Sequence, residues 1–416
     1  MRFTLLLILL LPAFLTASPA KQKKADKPKQ EKLATLYKNA RTAIKNKNGQ
    51  DGALNALLTA TSRPELKSKQ LSKIYYQAAL LDESLNGVEN KKAFLKQACD
   101  TAKFFNTLRD MYGHLRLCDS VDLAPNANGQ VHARMQRRTR SLRLKHRRNI
   151  FAGGKYFLSK KDYASAYPFL DYYSSYSSEK VEPDTLHTQT VLWATLSAFL
   201  SDNYAGTAKH ADEAISFSDS ATSAILQEYK VRALAGLGND SAWVAALKEG
   251  IEKWPEHNYF FVQLADWYQS RRNFGEERRL ADELIRRTGG RAIHHYAKSN
   301  SYLSESNYDA CAQSADSAIA LQQDFVDAYY NKGIAYLNKA VIMQETSAKD
   351  VKDQSYSADR QQMLELYRQA RPCMEMVRKL QPDRQDRWAS PLYRIYLNLN
   401  LGEEFVEIDR LLGHKQ

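Results

Sequence analysis

Cysteine is scarce: Cys99, Cys118, Cys311 and Cys373 are the only four in 416 residues. They are too scattered for a disulfide framework, and none stands in a CxxC pair of the kind that binds zinc or carries redox chemistry. The chain also lacks HExxH, a GxSxG with triad partners, and a glycine-rich phosphate loop. Histidine does not fill the gap. His294 and His295 are adjacent and point in different directions on a helix, and His210 with Glu213 is a local pair without the further ligands a zinc site needs. No catalytic residue, metal or cofactor is assigned, and the chain is expected not to be an enzyme. An exported chain could form a disulfide. Cys99 and Cys118 are then the pair to consider, since they fall on what should be consecutive helical segments; four small buried thiols is the alternative.

The apolar run at the start is short. MRFTLLLILLLPAFLTASPA, residues 1–20, carries basic Arg2, apolar residues from Phe3 to about Phe14, and small residues before Lys21. A membrane span needs about 20 apolar residues, so this pattern reads as a cleavable secretory signal, cut after Ala17 or Ala20. The expected mature chain is exported, periplasmic or envelope-associated, with no transmembrane span after cleavage. The net charge of +13 is equally local. Arg2, the basic stretch 21–32 (six lysines against two acids) and the run 134–148 (eight Lys and Arg, no acid) account for all of it. The remainder is neutral in sum, which disfavours nucleic acid as a partner. Residues 21–32 read as a disordered basic tether.

What the chain does have is a period. In residues 258–290, Phe261, Leu264, Trp267 and Tyr268 follow helical spacing, a polar turn with Asn273 and Gly275 follows, and Leu280, Leu284 and Ile285 mark a second helix. A shift of 34 residues carries Tyr268 onto Tyr302 and then Tyr336, and Phe261 onto His295 and then Tyr329. In this frame Cys311, Ala315 and Ala318 fall where two helices must approach closely, and Trp254-Pro255 falls where a unit should end. Gly333 sits inside a predicted helix, where glycine is about 1 kcal/mol worse than alanine. A second helix of the same unit lying against it would supply the reason.

These residues resemble the tetratricopeptide repeat (TPR): an aromatic, then a leucine and a small residue, then a tyrosine in the first helix, with alanines in the second and a proline after it. The resemblance implies an all-α, right-handed superhelical solenoid of antiparallel helix pairs. It is clearest from about Ala224 to Leu337. It extends to 149–173 through Gly154, Tyr163, Ala166 and Leu170, and to 191–215 through Ala194, Tyr204, Ala211 and Ala214. Residues 33–130 read as divergent TPR-like hairpins with breaks near Gly49, Pro64, Gly87 and Pro125, followed by an array over 131–383. That array contains a basic helix at 134–148 and, between a helix starting near Val326 and one around Tyr367, a polar insert with a loop at about 345–357. Residues 384–416 form a closing pair. This closing block looks like the end of a broad group of exported TPR proteins from Gram-negative bacteria.

The resemblance also implies a concave face lined by first helices, where such solenoids take a peptide or partner helix. Inward positions include Tyr259, Val262, Asp266, Gln269, Ile293, Tyr296, Asn300, Leu303, Tyr330, Asn331, Ile334 and Leu337. Some TPR domains clamp a peptide carboxylate with asparagines and basic residues. Asn300 and Asn331 match the asparagines, but Tyr296, Asp327 and Asp386 stand where lysines would, so a general contact surface is expected instead. The second candidate is the basic run, Arg134, Arg137, Arg138, Arg140, Arg143, Lys145, Arg147 and Arg148. With Val131, Met135, Leu142 and Leu144 on its apolar side, it reads as the solvated face of a helix or as a surface for an anionic partner. The function expected is a non-catalytic protein-protein interaction or assembly module with an unidentified protein or peptide partner. The alternative is a glycan-binding envelope protein built on TPR-like helices.

Overall fold

A left-handed turn between paired helices recurs along the later part of the chain. The structure is a computed structural model and describes residues 31–413 apart from 127, 132, 178–185 and 348–354. The expected signal at 1–20, residues 21–30 of the tether, the middle of the insert loop and residues 414–416 lie outside the described residues. Those described form α-helices and turns with no strand. They group into two compact units that divide after Ile150.

The first unit contains α1 (Leu33–Asn46), α2 (Gln50–Ala60), α3 (Ser68–Phe94), α4 (Thr101–Asp122) and the start of α5 (Gln136–Ser159). Leu36, Ala40 and Ala43 of α1 repeat at helical spacing and bury against Leu57 of α2 and Ile74 and Leu81 of α3. Breaks fall at Gly49, where φ is 72°, and at Pro64. Gly87 does not break α3; it lies exposed inside a continuous helix, where propensity alone is outweighed by the packing of α3 on α4. Cys99 and Cys118 are both free. They flank most of the length of α4, about 25 Å at the helical rise, far beyond disulfide reach. Cys118 is buried near Asp119 and Asp122; its burial, then their charges, push its thiol up to about 12.

The second unit runs through α6 (Tyr163–Ser177), α7 (His187–Leu200), α8 (Tyr204–Ser216), α9 (Ser220–Gly236), α10 (Asp240–Lys253), α11 (Asn258–Ser270) and α12 (Phe274–Thr288). It continues with α13 (Ala292–Ser304), α14 (Tyr308–Leu321), α15 (Val326–Thr346), α16 (Tyr356–Leu380), α17 (Gln385–Asn398) and α18 (Gly402–Leu412). Each helix packs on the next, giving stacked antiparallel pairs. Within pairs the turn repeats: Asp202, Gly238, Arg272, Ser306 and Asn400 all have φ between 54° and 66°. After each, an amide reaches back to a carbonyl five residues earlier, as in Asn273 N–H to Tyr268 O and Asn307 N–H to Tyr302 O. Asn203, Asn239 and Asn307 then cap the second helix by accepting from the Gly206, Ala242 and Ala310 amides. Only one of these left-handed positions is glycine, so Gly275, expected in the turn, is free to lie inside α12 instead.

Close approach explains the small residues. Ala194, Ala211, Ala214, Ala281, Cys311, Ala315 and Ala318 are wholly buried between helices. A Cβ on Gly333 would lie 2.6 Å from Met374 Cε and 3.2 Å from Cys373 Cβ, both on α16. The second helix of the same unit is therefore what excludes a side chain there. The long insert resolves into two extended helices, since α15 runs on to Thr346 and α16 starts eleven residues before Tyr367.

Candidate interaction surfaces

The first helices of the second unit form its compressed side. α11 touches α13, α13 touches α15, and α15 touches α17, while among the described residues the second helices make no contact of that extent with one another. Splayed second helices leave a cleft of about 340 Å³ between α10 and α12, lined by Lys248, Glu252, Arg279 and Glu283. The inner face of a curved stack is thus carried by α11, α13, α15 and α17.

On that face, most of the expected residues are half-buried. Tyr259, Val262, Gln269, Ile293, Tyr296, Asn300, Leu303, Tyr330 and Ile334 are all partly covered, and Asp266 is exposed. Asn331 and Leu337 are buried. Tyr259 belongs to a separate group, with Arg232 stacked 5.3 Å above its ring and His257 3.1 Å from Glu228. Gln269 donates to Ser304 Oγ at 2.7 Å. Val262 and Ile334 pack against the cores beneath them.

The residues brought into one electrostatic environment are Asp266, Tyr296 and Asp327, together with two that sequence reasoning missed, Glu277 and Arg387. Arg387 of α17 pairs with Asp327 at 2.7 Å and lies 4.5 Å over the Tyr330 ring, so the cation absent from the lysine positions enters from the next unit. The insert breaks the 34-residue frame before α17, which hid it. Glu277 had a visible signal. It stands 34 residues before Cys311, at a position that must be small and buried, and it is 2% exposed with Oε2 unpartnered. Burial, then the Asp266 charge, raise its carboxyl to about 8. Tyr296 is pushed up to about 12, mainly by burial and then by Asp327. Asn331 Nδ2 is also buried without a partner among the described residues.

The basic run separates into two sets. Arg143 is not part of an exposed surface: it is buried, 2.5 Å from Asp119, with Tyr112 donating to its carbonyl. Lys145 reaches Glu83 at 2.6 Å. The acids that neutralise them come from α3 and α4, as does Asp122, which accepts from the Met135 amide. Met135 and Leu142 turn inward, while Val131 and Leu144 are exposed. Arg134, Arg137, Arg138, Arg140 and Arg148 are exposed and Arg147 half-buried. The basic segment and the first helix of the 149–173 hairpin are one helix, α5.

No family model matches the chain, and no curated protein does. Solved structures do match. The C-terminal part of a TPR repeat-containing protein from Cytophaga hutchinsonii is 12% identical, covering 64% of this chain and 100% of that one, with a TM-score of 0.42. A TPR repeats protein from Bacteroides fragilis is 16% identical, covering 64% of this chain and 98% of that one, with a TM-score of 0.32. The 34-residue register, the small buried positions and the stacked antiparallel pairs are the chain's own grounds for a TPR-type solenoid.

Proposed function

We propose that the chain is an exported, non-catalytic interaction module of the cell envelope, whose inner face between Tyr259 and Ile334 receives an extended peptide or partner helix. The observation that supports this reading is the row of half-covered aromatics and amides on α11, α13 and α15: Tyr259, Gln269, Tyr296, Asn300 and Tyr330. Half-covered aromatic rings keep one face for a partner to cover, and aromatic residues of this kind dominate contact surfaces. Among the described residues no helix is long and apolar enough to cross a membrane. Replacing Tyr296, Asn300 and Asn331 together by alanine should abolish capture of partners from an envelope extract while leaving helical circular dichroism unchanged. Undiminished capture would reject this face. Export has its own test: an intact Met1 on the mature protein, read by mass spectrometry, would remove the envelope assignment.

A second surface is favoured by one specific observation. Among the described residues the side chains of Arg134, Arg137, Arg138 and Arg148 make no ion pair or hydrogen bond, although acids neutralise their neighbours Arg143 and Lys145. Guanidinium groups left open in this way suit a phosphate- or carboxylate-bearing partner.

A further inference from the structure

Resting on the peptide-binding reading above, we infer that the inner face accepts a lysine or arginine side chain of the bound segment between α11 and α13, over Asp266, Glu277 and Tyr296. Asp266 is exposed and, among the described residues, unpaired. Other acids of these repeats are matched: Asp240 with Arg271, Asp282 with Lys298, Asp309 with Lys339, Asp316 with Lys332 and Asp327 with Arg387. Within range of the Asp266 charge is the Glu277 carboxyl, almost wholly buried and with one oxygen unsatisfied among the described residues. The nearest cation in sequence, Arg278, is turned away to Glu305 at 2.6 Å and Ser301 at 2.7 Å. A buried polar group without a partner is costly, and an entering ammonium or guanidinium would satisfy both carboxyls at once. Tyr296, half-buried in the same field, supplies an aromatic ring for the cation. A carboxylate end, by contrast, would meet two acids.

The charge of Glu277 would change on binding. The charged and titratable groups in its field are Asp266 from α11, Arg278 from its own helix and Tyr296 from α13. With its carboxyl held at about 8 in the free protein, an arriving cation draws the proton off, so affinity should rise as pH climbs from about 6 to 8.

The test is selection of random displayed peptides on the full chain, followed by synthesis of the recovered sequences and titration of each. A recurrent Lys or Arg is expected. Asp266→Asn should weaken binding about tenfold, as should replacing that peptide residue by methionine, and the two changes together should lose little more. Glu277→Gln should keep binding but flatten its pH dependence, a readout that a packing role would not move. Peptides that depend on Tyr296, Asn300 and Asn331 yet ignore Asp266→Asn, or that lack a recurrent cation, would overturn this inference and leave the face intact. Peptides indifferent to all of these substitutions would overturn both.

Discussion

At the scale of single residues, Glu277 and His294 give the central repeats opposite responses to pH. Burial holds Glu277 at about 8, above its ordinary 4.5, so the fold favours the neutral acid. Its contribution is unpenalised below about pH 4.5, declines as the unfolded chain ionises, and reaches its full cost above about 8. His294 is also buried, with Nε2 unpartnered beside the Phe261 ring, and burial lowers it to about 4. Its contribution is whole above pH 6.5 and is lost as pH falls towards 4. Urea midpoints measured across this range should be nearly flat between about 4.5 and 6.5 and should fall on either side. Glu277→Gln should remove the alkaline decline, a gain on the order of 2 kcal/mol near pH 9; an unchanged alkaline limb would show that Glu277 is solvated. Gly333 poses a steric question instead. Alanine would gain about 1 kcal/mol in helix propensity but press on Met374 Cε, which can move, and on Cys373 Cβ, which moves with its helix. Gly333→Ala should therefore stay within about 1 kcal/mol of the parent, whereas Gly333→Val should cost about 3 kcal/mol in chemical denaturation.

At the scale of elements, α5 shows why the sequence grouped residues that the fold separates. Its arginines look alike in one dimension. Rotation places Thr139, Leu142, Arg143 and Ile150 on the packed side, and only the acids of α3 and α4, remote in sequence, show that Arg143 is buried and paired. Arg143→Ala leaves Asp119 without its cation, with Thr139 still donating to it, and should cost about 3 kcal/mol. Arg137→Ala and Arg148→Ala should change stability by less than about 0.5 kcal/mol, while weakening binding to any anionic partner in a salt-dependent manner. Equal destabilisation by all three would return them to one class. The turns teach the same lesson. Asn203, Asn239 and Asn307 were legible as caps in principle, but left-handed Asp202, Arg272 and Ser306 carry no glycine to announce them. Their geometry is imposed by the helices they join. Gly87 is the converse, a residue that signals a break by type but sits in a helix held by its neighbour.

At the scale of the whole molecule, the 34-residue frame made the second unit readable because each turn of the stack repeats the same packing problem, from Tyr268 to Tyr302 to Tyr336. It failed where the frame was interrupted. Arg387 enters the site from beyond the insert, and Glu277 occupies a small-residue position that the pattern alone would fill with alanine. A stack of this kind is stabilised by nearest-neighbour interfaces, so its last pair matters locally. Trp388, Leu392, Ile395 and Tyr396 of α17, with Ile408 of α18, cover Tyr367, Ala370, Met374 and Val377 of α16. Ending the chain after Leu380 would leave that apolar face in water. Hydrogen exchange on such a truncation should show α15 and α16 losing protection first, by about tenfold or more, with little change in α1 to α4, whose core from Leu36 to Leu81 shares no residue with it. Uniform loss of protection in both units would mean that the chain unfolds as one cooperative body, and a nearest-neighbour account of its stability would then be wrong.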